Sequence, residues 1–302
     1  MLYKNILIDG NNLFWISVIK ETTEKVLEDT VVYSNGIRKS LEYIKFLKEK
    51  FSYEDTKFYF LYDNPVSIHN LRKQYDSKYK HARDKLNIPK KFYDTLNIFI
   101  EILKNYSENY FVVQANYLES DDLTKPIIEK CGSKEKTLII SNDLDWARNI
   151  TEQVEWFNHK EIIKLDKFKE VYGFEPKGKK IQLYKAIVGD RSDSINAALP
   201  YLKKEKVKQI VNDFEDLKEF LKQFNGLSYL NQSDKEKIVK NKIILERNYQ
   251  LVDFILPDNL DDFITYGIRD SKYLKEIFEI IEIPLEDDMI EKSEDFFVSM
   301  KF

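Results

Sequence analysis

The chain has 302 residues, enough for about two domains, and its 48 basic and 52 acidic residues leave a net charge of −4. That near-neutral sum excludes a protein that coats nucleic acid through bulk basicity. The content of 43% hydrophobic and 14% aromatic residues, with only eight glycines and seven prolines, excludes a disordered or low-complexity chain. The single Cys131 fits a reducing compartment, and no apolar run reaches membrane length, so we expect a soluble cytoplasmic protein.

Short apolar runs alternate with stretches of helical period in the first half of the chain. The predicted strands are Asn5–Ile8, Lys57–Tyr62, Tyr110–Val113, Lys136–Ile140 and Val154–Phe157. The predicted helices between them run from Leu13 through Ile19, over Gly36–Phe51 and Phe92–Leu103, and onward from Glu119. Strands and helices in alternation predict an α/β fold with a mostly parallel central sheet flanked by helices.

The pattern changes near residues 165–178, where Gly173, Pro176 and Gly178 interrupt the chain. Beyond this point only helices are predicted, over Lys167–Tyr172, Lys179–Val188, Glu205–Phe214, Asp216–Phe224, Asp234–Arg247 and Lys272–Ile281. We therefore expect an α/β domain over residues 1–170, an all-helical C-terminal domain over 171–285 and a tail over 286–302.

Carboxylates follow four of the predicted strands. They are Asp9, Asp63, Glu119, Asp121, Asp122, Asp143 and Asp145, and two more, Asp190 and Asp193, follow the predicted helix Lys179–Val188. The carboxyl ends of parallel strands line one crevice, which is where open α/β sheets bind ligands. Any one of these residues also fits a helix N-cap, but two like charges 4 Å apart repel by roughly 4 kcal/mol. Carboxylates gathered in one crevice therefore need protons or bound cations.

The other residue types narrow the choice of cation and of reaction. Three histidines and one cysteine exclude a zinc site of the usual kind, whereas oxygen-only ligation suits Mg²⁺ or Mn²⁺. Two such ions about 3.5–4 Å apart serve the in-line hydrolysis of phosphodiesters. That chemistry needs no nucleophilic side chain, and the sequence contains no GxSxG motif, Cys–His pair or P-loop.

Basic residues concentrate in two regions. Residues 64–91 carry a local charge of +6 and residues 177–210 another +6, which leaves −16 for the remainder. Two such patches suit a polyanion, although lysine-rich surfaces also occur on proteins that bind none. In the first region, the residues suited to phosphates and to unstacked bases are Arg72, Tyr75, Tyr79, Lys80 and Arg83. If this segment is helical, most of these side chains share one face.

Five short acidic motifs stand out in chain order. They are Ile8-Asp9-Gly10-Asn11-Asn12, Tyr62-Asp63, Glu119-Ser120-Asp121-Asp122, Ser141-Asn142-Asp143-Leu144-Asp145 and Gly189-Asp190-Arg191-Ser192-Asp193. In this order and spacing they resemble the 5′-nuclease family, the flap endonucleases and 5′→3′ exonucleases with a PIN-like domain. The resemblance extends from the N-terminus to residue 265, and it is strongest to the bacteriophage members such as the T-even phage ribonuclease H.

The resemblance implies a role for each motif. Two divalent ions, Mg²⁺ or Mn²⁺, are expected, the first held by Asp9, Asp63, Glu119, Asp121 and Asp122, and the second by Asp143, Asp145, Asp190 and Asp193. Among these ligands, Asp63 and Asp145 are expected to be essential for catalysis. Residues 64–91 resemble the family's helical arch or clamp over the active site, where Lys80 and Arg83 are expected to stabilise charge on the scissile phosphate.

The second basic region resembles the family's helix–hairpin–helix element, which grips duplex backbone, often around a potassium ion. Lys203, Lys204 and Lys206 are the expected duplex contacts. This chain reads Ala197-Ala198-Leu199-Pro200 where the family has a glycine-rich hairpin. Without glycines the backbone approaches a phosphate or an ion less closely, so we expect a degenerate element without a potassium site.

The resulting hypothesis is a metal-dependent, monomeric 5′ nuclease of replication that removes 5′ flaps, 5′ ends or RNA primers from duplex or branched DNA and RNA–DNA hybrids. A composition rich in Lys, Ile and Asn suits an AT-rich genome such as that of a bacteriophage, in which case the compartment is the host cytoplasm. The tail with Phe296 and Phe297 is either an ordinary terminus or a docking peptide for a sliding clamp or single-strand-binding protein.

Two other classes stay open at this point. A PIN-type ribonuclease shares the carboxylate crevice, but such proteins are usually shorter and lack the helical half. A non-catalytic protein that binds branched DNA is the second alternative, and it should lack at least one of the metal carboxylates, none of which is missing here.

Overall fold

The computed structural model describes residues 2–18, 25–27, 30–63, 71–81, 88–115, 117–132 and 134–283. Arg83, much of the expected arch over residues 64–91 and the tail over 286–302 lie outside these ranges. Within them, no helix combines the length and the apolar character that a membrane span requires.

A seven-stranded sheet forms the centre of the fold, in the order β8-β7-β6-β1-β4-β5-β9. Its strands are β1 (Tyr3–Asp9), β4 (Ser52–Asp63), β5 (Tyr110–Ala115), β6 (Thr137–Ile140), β7 (Val154–Phe157), β8 (Ile162–Ile163) and β9 (Ile264–Tyr266). A separate hairpin pairs β2 (Lys25–Leu27) with β3 (Thr30–Val32). The neighbouring strands from β7 to β5 are parallel, whereas β8 and β9 pair antiparallel at the two edges.

The register of the parallel strands brings their carboxyl ends together. Asp9 lies opposite Leu61, two residues before β4 ends, and Ile8 lies opposite Ile140, the last residue of β6. β1 is buried along almost its whole length, as is usual for a central parallel strand. The polar residues that end or follow β1, β4 and β6 therefore meet at one edge of the sheet.

Twelve α-helices lie in the described residues. They are α1 (Gly10–Val18), α2 (Ser34–Phe51), α3 (Arg72–Tyr75), α4 (Lys90–Tyr106), α5 (Thr124–Cys131), α6 (Leu165–Tyr172), α7 (Lys180–Val188), α8 (Lys204–Asp213), α9 (Leu217–Gln223), α10 (Gln232–Lys240), α11 (Lys242–Leu251) and α12 (Ser271–Ile280). Short 3-10 helices cover Ser120–Leu123, Trp146–Asn149, Phe224–Gly226 and Leu260–Phe263. α2 is amphipathic, because it buries Ile37, Leu41 and Ile44 at helical spacing along one face.

Apolar side chains pack against both faces of the sheet. Leu7 belongs to one cluster, which continues into the helices of the second half through residues such as Phe168 and Phe220. Ile6 and Ile8 belong to the other cluster, which α1, α2 and α4 cover. Side chains alternate along a strand, so successive residues of β1 supply both clusters.

The predicted α/β fold with a mostly parallel central sheet is confirmed, and the five predicted strands are found as β1, β4, β5, β6 and β7. The prediction of helices alone in the second half is wrong, because β9 returns to pair with β5, and α12 packs against α4. The single helix predicted over Asp234–Arg247 is two helices that meet at Asn241. The proposed border between the two domains stays a prediction.

Gly267 follows β9 and lies against the backbone that leads into β5. A Cβ at this position would come within 2.3 Å of the Ser107 carbonyl oxygen and 2.4 Å of the Tyr110 carbonyl oxygen. Gly267→Ala is therefore expected to lower the free energy of unfolding by about 1–3 kcal/mol, measured by urea denaturation. Gly226→Ala is the control, because a Cβ there meets no heavy atom within 4 Å. An equal loss in both variants would contradict the packing of β9.

Candidate functional site

Asp9, at the end of β1, is buried and held by two hydrogen bonds. The backbone N–H of Asn12 donates to Asp9 Oδ1 at 3.0 Å, and the Ser141 hydroxyl donates to Oδ2 at 2.7 Å. Burial raises the pKa of Asp9 to about 7 despite these bonds, and the charges of Asp63 and Asp143 add to the effect. Each carboxylate oxygen keeps a second lone pair, so Asp9 is oriented and still able to bind a cation.

Asp63 ends β4 beside Asp9. Its backbone N–H donates to Asn11 Oδ1 at 2.8 Å, and its own Oδ1 accepts from the backbone N–H of Ser120 at 2.7 Å. Asn11 therefore ties the start of α1 to the end of β4, while the neighbouring Asn12 orients Asp9. Asn11 and Asn12 of the first acidic motif therefore help to place two different carboxylates, Asp63 and Asp9.

The third acidic motif opens the 3-10 helix that follows β5. Glu119 is the N-cap of this helix, and its backbone N–H donates to Asp122 Oδ2 at 3.0 Å in a reciprocal capping box. Burial, followed by the charges of Asp122 and Glu119, raises the pKa of Asp121 well above its usual range. A carboxyl group that resists ionisation in this way favours a proton or a cation beside it.

Asp122 is fully buried, and the protein itself occupies both of its oxygens. Arg72 donates from Nη1 to Oδ2 at 2.8 Å and from Nη2 to Oδ1 at 2.6 Å. The backbone N–H groups of Glu119 and Ile255 supply one further hydrogen bond to each oxygen. The expectation that Asp122 binds the first metal does not fit this structure, because its lone pairs are taken. Its contacts make it the anchor for Arg72.

Arg72 is buried and does not lie where a phosphate contact was predicted. Its side chain is only 2% exposed, and besides Asp122 it donates to the carbonyl oxygens of Leu251 and Asp253 at 2.9 and 2.7 Å. Arg72 therefore joins the crevice to the end of α11. The expected helical face is also wrong for the described residues, because α3 ends at Tyr75 and the backbone is extended at residue 76.

Three carboxylates from the two halves of the chain are placed to bind one cation. Oxygens of Asp145, Asp190 and Asp193 lie within 4.8 Å of one another, and the described residues contain no other such group of three. Two backbone hydrogen bonds between Asp190 and Ile195 close the loop that carries the last two. Gly189 opens this loop at φ +78°, where a Cβ would lie 2.5 Å from backbone atoms of the returning chain, so the turn requires glycine.

Two basic side chains that are not among the predicted site residues balance the charge of these carboxylates. Lys185 Nζ lies 2.6 Å from Asp145 Oδ2 and 2.7 Å from Asp190 Oδ2, and the Arg148 guanidinium pairs with Asp145. Against the effect of burial, Arg148 and Lys185 lower the pKa of Asp145, and Lys185 lowers that of Asp190. The available signal was a lysine in a mostly apolar helix, one turn before Gly189.

Asp143 lies between the two sets of carboxylates. Its Oδ1 accepts from the backbone N–H of Asp145 at 2.9 Å and is 3.8 Å from Lys185 Nζ. Burial, together with the charge of Asp145, raises the pKa of Asp143, and the charge of Asp143 in turn raises the pKa of Asp9. The charge of Asp143 therefore acts together with Asp145 on one side and with Asp9 on the other.

Tyr79 and Lys80 close the crevice from the segment after α3. The buried Tyr79 hydroxyl lies 3.0 Å from Glu119 Oε2 and 3.2 Å from Asp193 Oδ2, and Lys80 Nζ pairs with Glu119 Oε1 at 2.7 Å. Lys80 has a left-handed backbone, φ +55°, and its N–H donates to the Asp193 carbonyl. Such backbone strain at a non-glycine residue is typical of functional sites. The expectation that Tyr79 stacks on bases does not fit its burial, whereas Tyr75 is 59% exposed.

Two of the three lysines expected to contact duplex DNA in the second basic region are exposed. Lys203 and Lys204 are exposed at the start of α8. Lys206 is paired instead with Asp234 at 2.5 Å, and Asp234 completes the capping box at the start of α10. In this structure Lys206 therefore links two helices.

The donor set of the crevice fits a hard divalent cation. The carboxylates that meet in the crevice, apart from Asp122, belong to Asp9, Asp63, Glu119, Asp121, Asp143, Asp145, Asp190 and Asp193. Oxygen ligands without nitrogen or sulfur suit Mg²⁺ and Mn²⁺. The raised pKa values of Asp9 and Asp121 indicate that ionising these two carboxyl groups is favoured by added positive charge.

One protein family matches this chain by sequence. Its description is "5'-3' exonuclease, N-terminal resolvase-like domain", and the match covers residues 4–173, more than half of the chain. A sequence search of curated proteins found no match.

Several solved nuclease structures share the fold. Bacteriophage T5 D15 flap endonuclease in a complex with DNA and metal ions aligns with a TM-score of 0.66 and 20% identity, over 92% of this chain and 99% of its own. The Rad2 catalytic core with DNA substrate aligns at 0.53 and 13% identity, over 96% and 92%. Human GEN1 with Holliday junction DNA aligns at 0.52 and 18% identity, over 93% and 68%. These alignments confirm the predicted PIN-like fold.

Arg72→Met is expected to lower the free energy of unfolding by about 3–5 kcal/mol, because it leaves the Asp122 carboxylate buried without its partner. Chemical denaturation measures the loss, and the double variant with Asp122→Leu should recover much of it. Lys78→Met is the control, since Lys78 is exposed on the same segment. If Arg72→Met folds as stably as the parent protein and loses only DNA affinity, the structural role of Arg72 is wrong.

Proposed function

We propose, since the chain belongs to the family of 5′-3′ exonucleases with an N-terminal resolvase-like domain, that it is a divalent-metal-dependent 5′ nuclease. It hydrolyses phosphodiesters at the 5′ ends, flaps or RNA primers of duplex and branched DNA. The observation that carries this proposal is the approach of Asp145, Asp190 and Asp193 to within 4.8 Å of one another, at the sheet edge that also presents Asp9 and Asp63.

The residues of the crevice divide the proposed reaction among them. The carboxylates at the strand ends bind one Mg²⁺ or Mn²⁺, and the group around Asp145 binds a second. When bound, such ions lower the pKa of a water and stabilise the leaving oxygen. The ammonium groups of Lys80 and Lys185 lie beside the carboxylates. Positive charge at this place stabilises the negative charge that develops on the phosphate in the transition state. Arg148 keeps Asp145 ionised, so that its oxygens remain ligands.

The proposed substrate is recognised by its shape and charge. Lys203 and Lys204 in the helical second half are exposed and contact duplex phosphates without regard to sequence, so binding weakens as salt rises. Tyr75, exposed at the end of α3, offers a ring face to an unpaired base. The similar T5 protein is named a flap endonuclease, and the similar GEN1 structure holds a Holliday junction, which supports branched DNA as the substrate class. Removal of RNA primers during replication is the finer part of this proposal.

A duplex with a labelled 5′ flap tests the proposed activity. We expect cleavage in Mg²⁺ or Mn²⁺ that stops in EDTA. Cleavage that persists in EDTA, or no cleavage with either metal, would refute the proposal. Flaps with ribonucleotides at the 5′ end measure the preference for primers. Equal cleavage of single-stranded RNA without any duplex would favour the PIN-type ribonuclease instead.

Asp145→Asn is expected to reduce flap cleavage more than about 100-fold, because it removes a negative ligand of the proposed second ion. Losing a residue that only orients a metal ligand typically costs 10–100-fold, and losing the ligand itself should cost more. DNA binding should stay close to that of the parent protein, measured by fluorescence anisotropy in Ca²⁺. Asp166→Asn, at an exposed position on α6, is the control and should cleave normally. Retained activity in Asp145→Asn would mean that the ligand is misassigned.

Lys80→Ala is expected to lower the single-turnover cleavage rate by about 10²–10³-fold, because it removes positive charge beside the scissile phosphate. Duplex affinity should change far less than the rate, and adding Arg83→Ala should deepen the rate loss. Lys78→Ala removes the same charge two residues away, at an exposed position, and should leave the rate unchanged. Equal effects of the two single variants would reduce the role of Lys80 to general electrostatic attraction.

A further inference from the structure

His159 lies in the tight connection between β7 and β8 and belongs to none of the five acidic motifs. It has a left-handed backbone with φ +65°. The turn is closed by the side chain of Asn158, whose Oδ1 accepts from the backbone N–H groups of Lys160 at 3.1 Å and Glu161 at 2.9 Å. The turn therefore holds the His159 side chain in one direction, toward the start of α1.

Both imidazole nitrogens of His159 are engaged. Nε2 lies 2.8 Å from Asn12 Oδ1, and Nδ1 lies 2.6 Å from the Tyr43 hydroxyl. An amide oxygen only accepts hydrogen bonds, so Nε2 carries the proton and Nδ1 accepts from Tyr43. Burial lowers the pKa of His159 to about 4, and the ring is neutral at neutral pH, as this pair of contacts requires.

A hydrogen bond made by Asn12 connects His159 to the crevice. Asn12, whose side chain His159 holds, donates its backbone N–H to Asp9 Oδ1 at 3.0 Å. The rings of Tyr43 and Phe157 pack beside the imidazole, with centroids at 5.6 and 6.1 Å. A continuous series of hydrogen bonds therefore runs from α2 through the β7–β8 turn to a carboxylate at the end of β1.

We infer that His159 is a positioning residue for Asp9, acting through Asn12 to fix the carboxylate in the orientation that binds a divalent cation. The inference rests on the proposed function of Asp9 as a metal ligand. Groups that orient metal ligands from outside typically contribute 10–100-fold in metal affinity.

The test compares three substitutions of His159 in the full chain by calorimetric titration with Mn²⁺. His159→Ala removes both contacts, and His159→Asn keeps a polar group only near the position of Nδ1. Both are expected to weaken Mn²⁺ binding by about 10-fold. His159→Gln extends an amide N–H toward the position of Nε2, and it should restore most of the affinity. Asn also suits a left-handed backbone better than most residues, so its failure cannot come from the turn.

Two controls separate positioning from folding. Thermal unfolding of each variant measures stability, and Tyr43→Phe removes the hydroxyl that contacts Nδ1 while leaving the ring in place, so it should change Mn²⁺ affinity less than His159→Ala. If Ala, Asn and Gln weaken binding equally, His159 acts only as a structural residue and the inference is overturned. If all variants bind Mn²⁺ like the parent protein, the inference fails while the proposed function stands. If the parent protein binds no Mn²⁺, the proposed function itself fails.

Discussion

Mutual repulsion among carboxylates at one edge of the sheet is the constraint that the rest of the site must satisfy. Parallel strands bring Asp9 and Asp63 side by side, and neighbouring loops add further acidic groups. Like charges at such spacing repel by several kcal/mol. The chain lowers this repulsion partly through protonation, since burial raises the pKa of Asp9 and Asp121. It also supplies positive side chains of its own, since Lys80, Arg148 and Lys185 each pair with a candidate metal ligand.

The same compensating charges hold the two halves of the chain together. Lys185 on α7 reaches Asp145, which follows β6, and Arg72 joins Asp122 to the end of α11. The Tyr79 hydroxyl lies between acidic groups of both halves. Formation of the crevice and packing of the second half against the sheet are therefore coupled. Asp122 differs from the candidate metal ligands, because both of its oxygens accept hydrogen bonds from protein donors.

Short-range patterns made much of the fold and most of the site predictable. The apolar runs of β1 and β4 and the helical spacing of α2 are local, and carboxylates at the ends of parallel strands must converge whatever the later chain does. β9 was not predicted, because a strand of three residues is too short to show an alternation of apolar and polar side chains. The break at Asn241 was not predicted, because the apolar pattern of the helix continues across it.

Contacts between distant residues were beyond the reach of those patterns. Arg72 and Asp122 are 50 residues apart, and Arg72 and Leu251 are 179 apart. Nothing local distinguishes a buried arginine of this kind from one that meets phosphate. A motif shows the spacing of carboxylates but not which of them accept hydrogen bonds from the protein. The sequence therefore could not show that Asp122, unlike Asp121, is paired with an arginine. His159 was invisible for the same reason, since its partner Asn12 is 147 residues away.

If the carboxylate edge binds two divalent ions, anomalous diffraction from crystals soaked in Mn²⁺ will locate both of them. Two anomalous peaks are expected in the crevice, one bounded by Asp145, Asp190 and Asp193 and the other beside Asp9 and Asp63. Crystals without a peak in the crevice, or with Mn²⁺ bound only elsewhere on the protein, would contradict this binding of two ions.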